Sequence, residues 1–206
     1  MRLTVLVNRA AGTVVSGKIT RQGLEDAFRE GGVEATIEMI PGEKMAERAR
    51  AAVEAGADGV VAGGGDGTVR CVAGVLVGTG VPLGVLPLGT LNHFARDLGL
   101  PEEIPEAARA LAQALAGGDV RALDLGEVNG EVFVNTSVLG FYPPVVQDRD
   151  RQREHGGRNK WLAAVVALFR VLPRTPALHL SLTFEGRKIE RKTHFVLVGN
   201  NEYSMS

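Results

Sequence analysis

A short apolar run over 59–62 ends in Gly63-Gly64-Gly65-Asp66-Gly67-Thr68. The chain then enters a stretch where Val69, Val72, Ala73, Leu76 and Val77 recur at helical spacing. A strand, a glycine loop and a helix in that order constrain the fold more than any other feature of the sequence. Glycine tolerates positive φ and carries no side chain, so such a loop can turn backbone N–H groups toward an anion. The helix behind it adds unpaired N–H groups and the positive end of its dipole. A tight turn needs one or two glycines, whereas four around a carboxylate and a hydroxyl point to a site for phosphate and metal.

The segments before this junction repeat the same alternation. Residues 3–7 read as a strand ending at Asn8. Ile19, Leu24, Ala27 and Phe28 mark a helix over 18–30, stopped by Gly31-Gly32. Residues 33–40 alternate, with Val33, Ala35, Ile37 and Met39 on one face, and Pro41-Gly42 turns the chain. Met45, Ala46, Ala49, Ala52 and Val53 form the stripe of a second helix that ends near Gly56. A β-α-β-α-β-α order predicts an α/β fold: a parallel sheet with helices on its faces. Ligands of such sheets sit beyond the carboxyl ends of the strands, where the glycine loop falls.

A fourth strand over 81–86 runs into Pro87-Leu88-Gly89-Thr90-Leu91-Asn92. Leu91, Phe94, Ala95 and Leu98 then make a short helix closed by Gly99. A longer helix spans 104–116, with Pro105 at its start, Glu102, Glu103 and Glu106 near its positive end, and Gly117-Gly118 after it. From about residue 120 the rhythm changes. Residues 123–128 and 131–136 flank Asn129-Gly130, a strong hairpin signal. Leu178, Leu180, Leu182 and Phe184 alternate with polar residues, Glu185-Gly186 turns the chain, and 189–198 returns. The expected organisation is therefore an α/β domain over 1–123 and an antiparallel, β-rich domain over 124–206. Between its hairpins lie a basic segment, 149–160, and an apolar helix, 161–172.

Composition sets the outer limits. The chain has 206 residues, 45% hydrophobic and 23% charged, enough for a sizeable core. Its one cysteine, Cys71, excludes an intrachain disulfide and fits a reducing compartment. The opening apolar run is too short for a signal peptide, and the stretch 161–169 is far below the ~20 residues of a membrane span. A soluble cytoplasmic protein is expected, with no nucleic-acid partner. The net charge of −1 hides an asymmetry: 12 Lys/Arg against 19 Asp/Glu over 1–148, and 11 against 4 over 149–192.

Gly12-Thr13-Val14-Val15-Ser16-Gly17-Lys18 fits seven positions of a Walker phosphate loop, but Ile19 stands where a Ser or Thr must hold magnesium. A glycine-rich segment that helps cover a nucleotide is the better reading. The dinucleotide fingerprint fails as well, because Thr68 occupies its last glycine. Asp66 is either a turn former and helix cap or a ligand for Mg²⁺, direct or through water. Thr68 and Thr90 each follow a glycine and open a helix, so each can donate to phosphate or cap. Asn92 caps or binds ligand, and His93 is solvated or catalytic. Asp97 ends its helix where negative charge is unfavourable, and Asp124 falls at the change of domain type; both are candidates for a cleft. His155 stands among Arg151, Arg153, Arg158 and Lys160, a solvated face or, beside Trp161, a contact for anionic lipid head groups.

These residues carry a resemblance. The run from Val60 to Thr68 resembles the signature of the diacylglycerol kinase catalytic domain, shared with sphingosine kinases and bacterial lipid kinases. The run from Pro87 to Leu98 is similar to that family's second signature. Asn8-Arg9-Ala10-Ala11-Gly12 resembles its Asn-Pro-x-Ser-Gly loop, with Arg9 for the proline and Ala11 for the serine. Asp124-Leu125-Gly126, Asn135 to Phe141 and Gly199-Asn200-Asn201 resemble later motifs.

The resemblance implies an ATP-dependent lipid kinase of two domains, a nucleotide-binding α/β unit and an antiparallel β-sandwich. Gly63, Gly64, Gly65, Asp66, Gly67 and Thr68 would cradle the ATP phosphates, with Asn8, Thr90 and Asn92 contributing. Asp66, Asp97 and Asp124 would form a catalytic carboxylate and magnesium network, and a lipid hydroxyl such as that of diacylglycerol would attack the γ-phosphate. The basic stretch 149–160 would meet an anionic membrane surface, giving peripheral association. The family continues past the position of Ser206 with a segment that supplies the general base and completes the sandwich. The second domain is thus expected to be incomplete, with 195–198 an open edge available to a second copy. Two other readings share parts of the pattern. NAD kinases carry the same Gly-Gly-Asp-Gly-Thr loop, echoed by Asn201-Glu202, although 90–98 fits lipid kinases better. A non-catalytic nucleotide- or lipid-binding protein is the third.

Overall fold

The computed structural model describes residues 1–140 and 176–200. The expectations for 141–175 and 201–206, among them the basic stretch, His155, the apolar helix and Asn201-Glu202, lie outside the described residues. Two compact units divide the chain, Met1–Asn135 and Thr136–Ser206.

The first unit is built on four strands: β1 (Leu3–Asn8), β2 (Ala35–Ile40), β3 (Gly59–Gly64) and β4 (Leu83–Pro87). They form one sheet in the order β2-β1-β3-β4, every pair parallel. Six α-helices accompany it: α1 (Gly12–Val15), α2 (Arg21–Glu30), α3 (Met45–Glu54), α4 (Asp66–Leu76), α5 (His93–Asp97) and α6 (Ile104–Gly117). The alternation of β1 explains the layering. Leu3, Val5 and Val7 join Leu24, Phe28, Ile37, Leu86 and Leu111 in one core, beneath α2 and α6. Leu6 faces the other way and joins Met45, Ala49, Val60, Val72, Val85 and Phe94 beneath α3 and α4. Both faces are covered, as parallel sheets require, and burying a side chain the size of Phe28, fully inaccessible here, stabilises by about 1.5–3 kcal/mol.

The helix ends follow local chemistry. The Thr20 hydroxyl accepts the amide of Gly23 and starts α2 three residues later than the apolar spacing suggests. Gly118, in the left-handed region at φ 71°, ends α6.

The chain runs from β1 outward to β2, then returns across β1 to place β3 on its other side. The strand order therefore reverses between β1 and β3, and the crevice beyond their carboxyl ends is where an open α/β sheet binds ligands. Asn8 is the last residue of β1 and Gly64 the last of β3.

A short hairpin, β5 (Gly126–Val128) and β6 (Glu131–Phe133), closes the first unit. Its turn has positive φ at both Asn129 and Gly130, the form that the Asn-Gly pair favours. Val134 and Leu125 pack into the α3–α4 core, and Val132 lies against Gly74 of α4. The compact units consequently divide after Asn135, while the change from parallel to antiparallel strands falls near Asp124.

In the second unit β7 (Thr136–Gly140) pairs antiparallel with β10 (Phe195–Gly199), and β8 (Leu178–Phe184) with β9 (Arg187–Thr193). The return strand expected over 189–198 is thus two strands with two partners. The break falls at His194, where the Thr193 hydroxyl bonds both the carbonyl and the amide of Phe195. Among the described residues, no helix is long and apolar enough to cross a membrane.

Candidate functional site

Little of the glycine motif is loop. Gly63 and Gly64 are the last residues of β3, Asp66, Gly67 and Thr68 are the first turn of α4, and only Gly65 lies between. None of the four glycines has positive φ. Conformational freedom is therefore not why most of them are glycine; close approach is. A Cβ on Gly63 would lie 3.1 Å from both Leu88 and Val7, and one on Gly64 would lie 2.6 Å from the Thr68 Cβ. Gly65 backs onto Gly89 of the loop after β4, where a Cβ would stand 2.5 Å from the Gly65 Cα. Gly67 differs, because nothing lies within 4 Å of where its Cβ would be.

Three carboxyl-edge loops are bonded into one platform around this turn. From β1, the Asn8 Nδ2 donates to the Thr68 hydroxyl at 3.2 Å, and Asn8 Oδ1 accepts the amide of Ala10 at 3.0 Å. Thr68 is 8% exposed, so its hydroxyl faces Asn8 inside the fold. From β4, the amide of Leu88 donates to the carbonyl of Gly64 at 3.1 Å. The segment after β1 also reaches across: Thr13, in α1, donates its hydroxyl to the carbonyl of Leu88 at 3.0 Å. The Walker-like stretch is thus a strap tied to the far loop. The spacing of Gly12 to Lys18 does not show this tie, which depends on two segments 75 residues apart.

Asp66 connects the platform to the second signature. Its Oδ1 accepts the amide of Phe94 at 3.0 Å and its Oδ2 that of His93 at 3.2 Å. It is a cap, as its bland reading holds, but the helix it caps is α5 and not its own. The reason lies in Asn92. This residue adopts φ 49°, ψ 46° at the start of α5 and makes no side-chain cap. Its Oδ1 instead accepts the amide of Gly89 at 2.9 Å, and its Nδ2 donates to the carbonyls of Pro87 and Gly89 at 3.1 and 2.9 Å. Both polar ends of Asn92 are engaged within its own loop.

Thr90 is exposed on that loop, and His93 is exposed beside it. Asp97 is the last residue of α5, and Asp124 lies on the exposed approach to β5; each has an interaction of its own. Among the described residues no three Asp, Glu, His or Cys side chains gather as a metal-holding group, so the structure does not assemble Asp66, Asp97 and Asp124 into a preformed cage.

The first turn of α4 stands at the positive end of its helix dipole. Gly65 at its N-cap has no side chain to offer, so the leading amides of the helix are without a side-chain cap. Eleven residues of aligned peptide dipoles stand behind them.

Comparison with known proteins gives matches to a single family. The family described as the diacylglycerol kinase catalytic domain matches residues 2–128. The chain is 44% identical over 142 residues to a Pseudomonas aeruginosa protein named "Probable lipid kinase YegS-like", covering 68% of this chain and 44% of that one. It is 34% identical over 180 residues to a protein of Mycobacterium tuberculosis named "Diacylglycerol kinase", covering 84% of this chain and 57% of the other. A solved diacylglycerol kinase structure from Bacillus anthracis superposes with a TM-score of 0.68 at 26% identity, over 98% of this chain and 65% of that one. The chain spans about half the length of the curated relatives it matches.

Proposed function

The chain belongs to the diacylglycerol kinase catalytic domain family, and from that membership we propose that it binds ATP at the carboxyl edge of its parallel sheet, within a protein that transfers the γ-phosphate to a lipid hydroxyl such as that of diacylglycerol. The supporting observation is Gly67. It occupies the first turn of a helix without positive φ, and a Cβ added there would meet nothing within 4 Å, so nothing inside the fold asks for glycine there. A phosphate resting on the helix end would ask for it, since a Cβ would stand between the anion and the amides.

The residues divide the work. Gly65, Asp66 and Gly67 present backbone amides, and the exposed Thr90 hydroxyl lies on the adjoining loop. Asn8 and Thr68 hold the first turn of α4 against β1. Asp66 fixes α5, which carries Asp97, in register with the glycine turn. Magnesium bound with the nucleotide would neutralise charge on the β- and γ-phosphates. The donor set fits an ion carried on phosphate and reached through water. Asp66 keeps a second lone pair on each oxygen, whereas a cage of protein carboxylates is absent among the described residues. In the transfer the lipid hydroxyl oxygen would bond to the γ-phosphorus as the bond from that phosphorus to the bridging oxygen breaks and ADP leaves. The hydroxyl proton would pass to solvent or to a base of the longer protein, while this chain contributes positioning and charge stabilisation.

The test is transfer of label from γ-labelled ATP in the presence of Mg²⁺ to diacylglycerol, phosphatidylglycerol, sphingosine or NAD, with Asp66→Ala alongside. A labelled lipid that disappears in the variant supports the reading; labelled NAD with no lipid product overturns it.

A further inference from the structure

The first unit holds four asparagines, Asn8, Asn92, Asn129 and Asn135, and their surroundings differ. Asn8 is bonded to Thr68 and to the Ala10 amide, and both polar ends of Asn92 are engaged within its loop. The side-chain oxygen of Asn135 is buried. Of the four only Asn129 is exposed, and Gly130 after it is exposed as well. Among the described residues, neither the Asn129 side chain nor the Gly130 amide takes part in a hydrogen bond.

An asparagine side chain is a primary amide, and the backbone nitrogen of the next residue can attack its Cγ to close a cyclic imide. Inside a fold this is ordinarily prevented by hydrogen bonds that hold the two amides and by the Cβ of the following residue, which crowds the approach. Gly130 lifts both restraints: its N–H is unbonded, and glycine has no Cβ. Arg9, His93 and Thr136 follow the other three asparagines, and each carries a side chain. Closure also needs rotation about the Asn129 backbone. The turn joins strands of three residues each, and so short a ladder opens at small cost.

We infer that Asn129 is a site of spontaneous deamidation, converted through a cyclic imide to aspartate and isoaspartate. In the first step the Gly130 nitrogen loses its proton and bonds to the Asn129 Cγ, and the bond from Cγ to the side-chain nitrogen breaks to release ammonia. Water then adds to either carbonyl of the imide, and the C–N bond at that carbonyl breaks. Opening at Cγ leaves aspartate in an ordinary chain. Opening at the main-chain carbonyl routes the chain through Cγ as isoaspartate and adds a methylene to the backbone. The lengthened turn bears on α4. Glu131 directly after it reaches Arg70 at 3.4 Å, Val132 lies against Gly74, and Val134 packs in the core beneath that helix. Isoaspartate therefore loosens the hairpin from the helix that opens with the glycine motif. The inference is independent of the ATP reading.

The test is peptide mapping by mass spectrometry of the folded 206-residue chain after incubation at mildly acidic and mildly alkaline pH. Asn129→Gly is carried alongside; it keeps a residue tolerant of positive φ and has no side-chain amide to lose. The Asn129 peptide is expected to gain the mass of an amide-to-carboxyl exchange roughly tenfold faster, or more, than the peptides holding Asn8 and Asn92. The rate should rise at alkaline pH, where the Gly130 nitrogen gives up its proton more readily, and the product should accept a methyl group from an isoaspartyl methyltransferase. The aged parent should lose thermal midpoint while the aged Asn129→Gly chain keeps its own. Conversion of Asn129 no faster than that of Asn8 overturns the site. Conversion to aspartate alone, with no methyl acceptance, overturns the imide route. An unchanged midpoint in the aged parent, or an equal fall in both chains, overturns the link to the packing on α4.

Discussion

Asp66 and Phe94 are 28 residues apart, yet the carboxylate of one caps the amide of the other at 3.0 Å. The second oxygen takes the neighbouring amide of His93, so the acidic residue of the glycine motif satisfies two of the orphan donors of α5. Replacing Asp66 by Ala should cost about 1–2 kcal/mol in urea unfolding, the range of a lost helix cap. Asp66→Asn keeps one side-chain acceptor and should cost less. Under the proposed function both variants lose phosphoryl transfer. A variant Asp66→Asn with near-parent stability and no activity separates the chemical role from the cap; full activity in Asp66→Ala would show that the motif needs no carboxylate there.

The bond from Asn8 to Thr68 joins β1 to the first turn of α4 on either side of the strand-order reversal. Thr68→Val keeps the shape but leaves the Asn8 amide without its acceptor, at a cost of about 1–2 kcal/mol. Asn8→Ala removes the donor and also the bond to the Ala10 amide. If the two residues act as one tie, the double variant should be less destabilised than the sum of the single ones by about 1 kcal/mol in a double-mutant cycle. Strict additivity would mean that the pair is in contact without being coupled.

Glu38 on the edge strand β2 and Arg48 on α3 form a two-pronged pair, Nε to Oε2 at 2.7 Å and Nη2 to Oε1 at 2.6 Å. The hydrogen bonds from Arg48 hold the Glu38 carboxyl below its usual value of 4.5, against the opposing effect of its partial burial. The folded value is depressed, so the contribution is complete above the unfolded value and is lost as pH falls through the folded one. Glu38→Gln should therefore lower stability at neutral pH. It should also reduce the steepness with which stability falls below about pH 4.5. Parallel acid limbs for parent and variant in fluorescence-monitored unfolding would rule out this linkage.

Periodicity made the α/β unit legible because its elements are amphipathic over whole turns. Met45, Ala49 and Ala52 are buried on one face of α3, and Ile37 is buried within β2, as their spacing requires; Val33 is buried just before that strand begins. The position of the glycine motif was legible for the same reason, since a β-α-β-α-β order puts it at a carboxyl edge. What the motif residues do there was not. Propensity predicts that Asp66 caps something near it, and only the tertiary fold makes that something α5. Glycine suggested positive φ, yet Gly63, Gly64 and Gly65 are shaped by Leu88, Thr68 and Gly89 pressing on them. Over 189–198 the composition shifts from polar 190–194 to apolar 195–198, but no glycine, proline or turn pair marks the change of partner at His194, so the two strands read as one. Arg9 read as a departure from a motif, and only the bond from its amide to Ile40 shows that the arginine backbone makes a contact denied to proline.

Gly64 and Gly67 stand three residues apart in one motif and face opposite requirements. A Cβ on Gly64 would overlap the Thr68 side chain, whose own position is fixed by Asn8, so Gly64→Ala should destabilise by about 1–3 kcal/mol, the usual cost of overpacking. A Cβ on Gly67 would meet open space on the first turn of α4, where alanine is a better helix residue than glycine. Gly67→Ala should therefore leave stability unchanged or raise it by up to about 1 kcal/mol. If phosphate rests on that turn, the same variant should weaken MgATP binding, because its methyl group would stand where the anion must reach the amides. Chemical denaturation and nucleotide titration on the two variants give a crossed result: Gly64→Ala loses stability, while Gly67→Ala loses binding with its fold intact. A Gly67→Ala chain that binds MgATP as tightly as the parent would place the phosphates elsewhere on the carboxyl edge and remove the observation on which the proposed function rests.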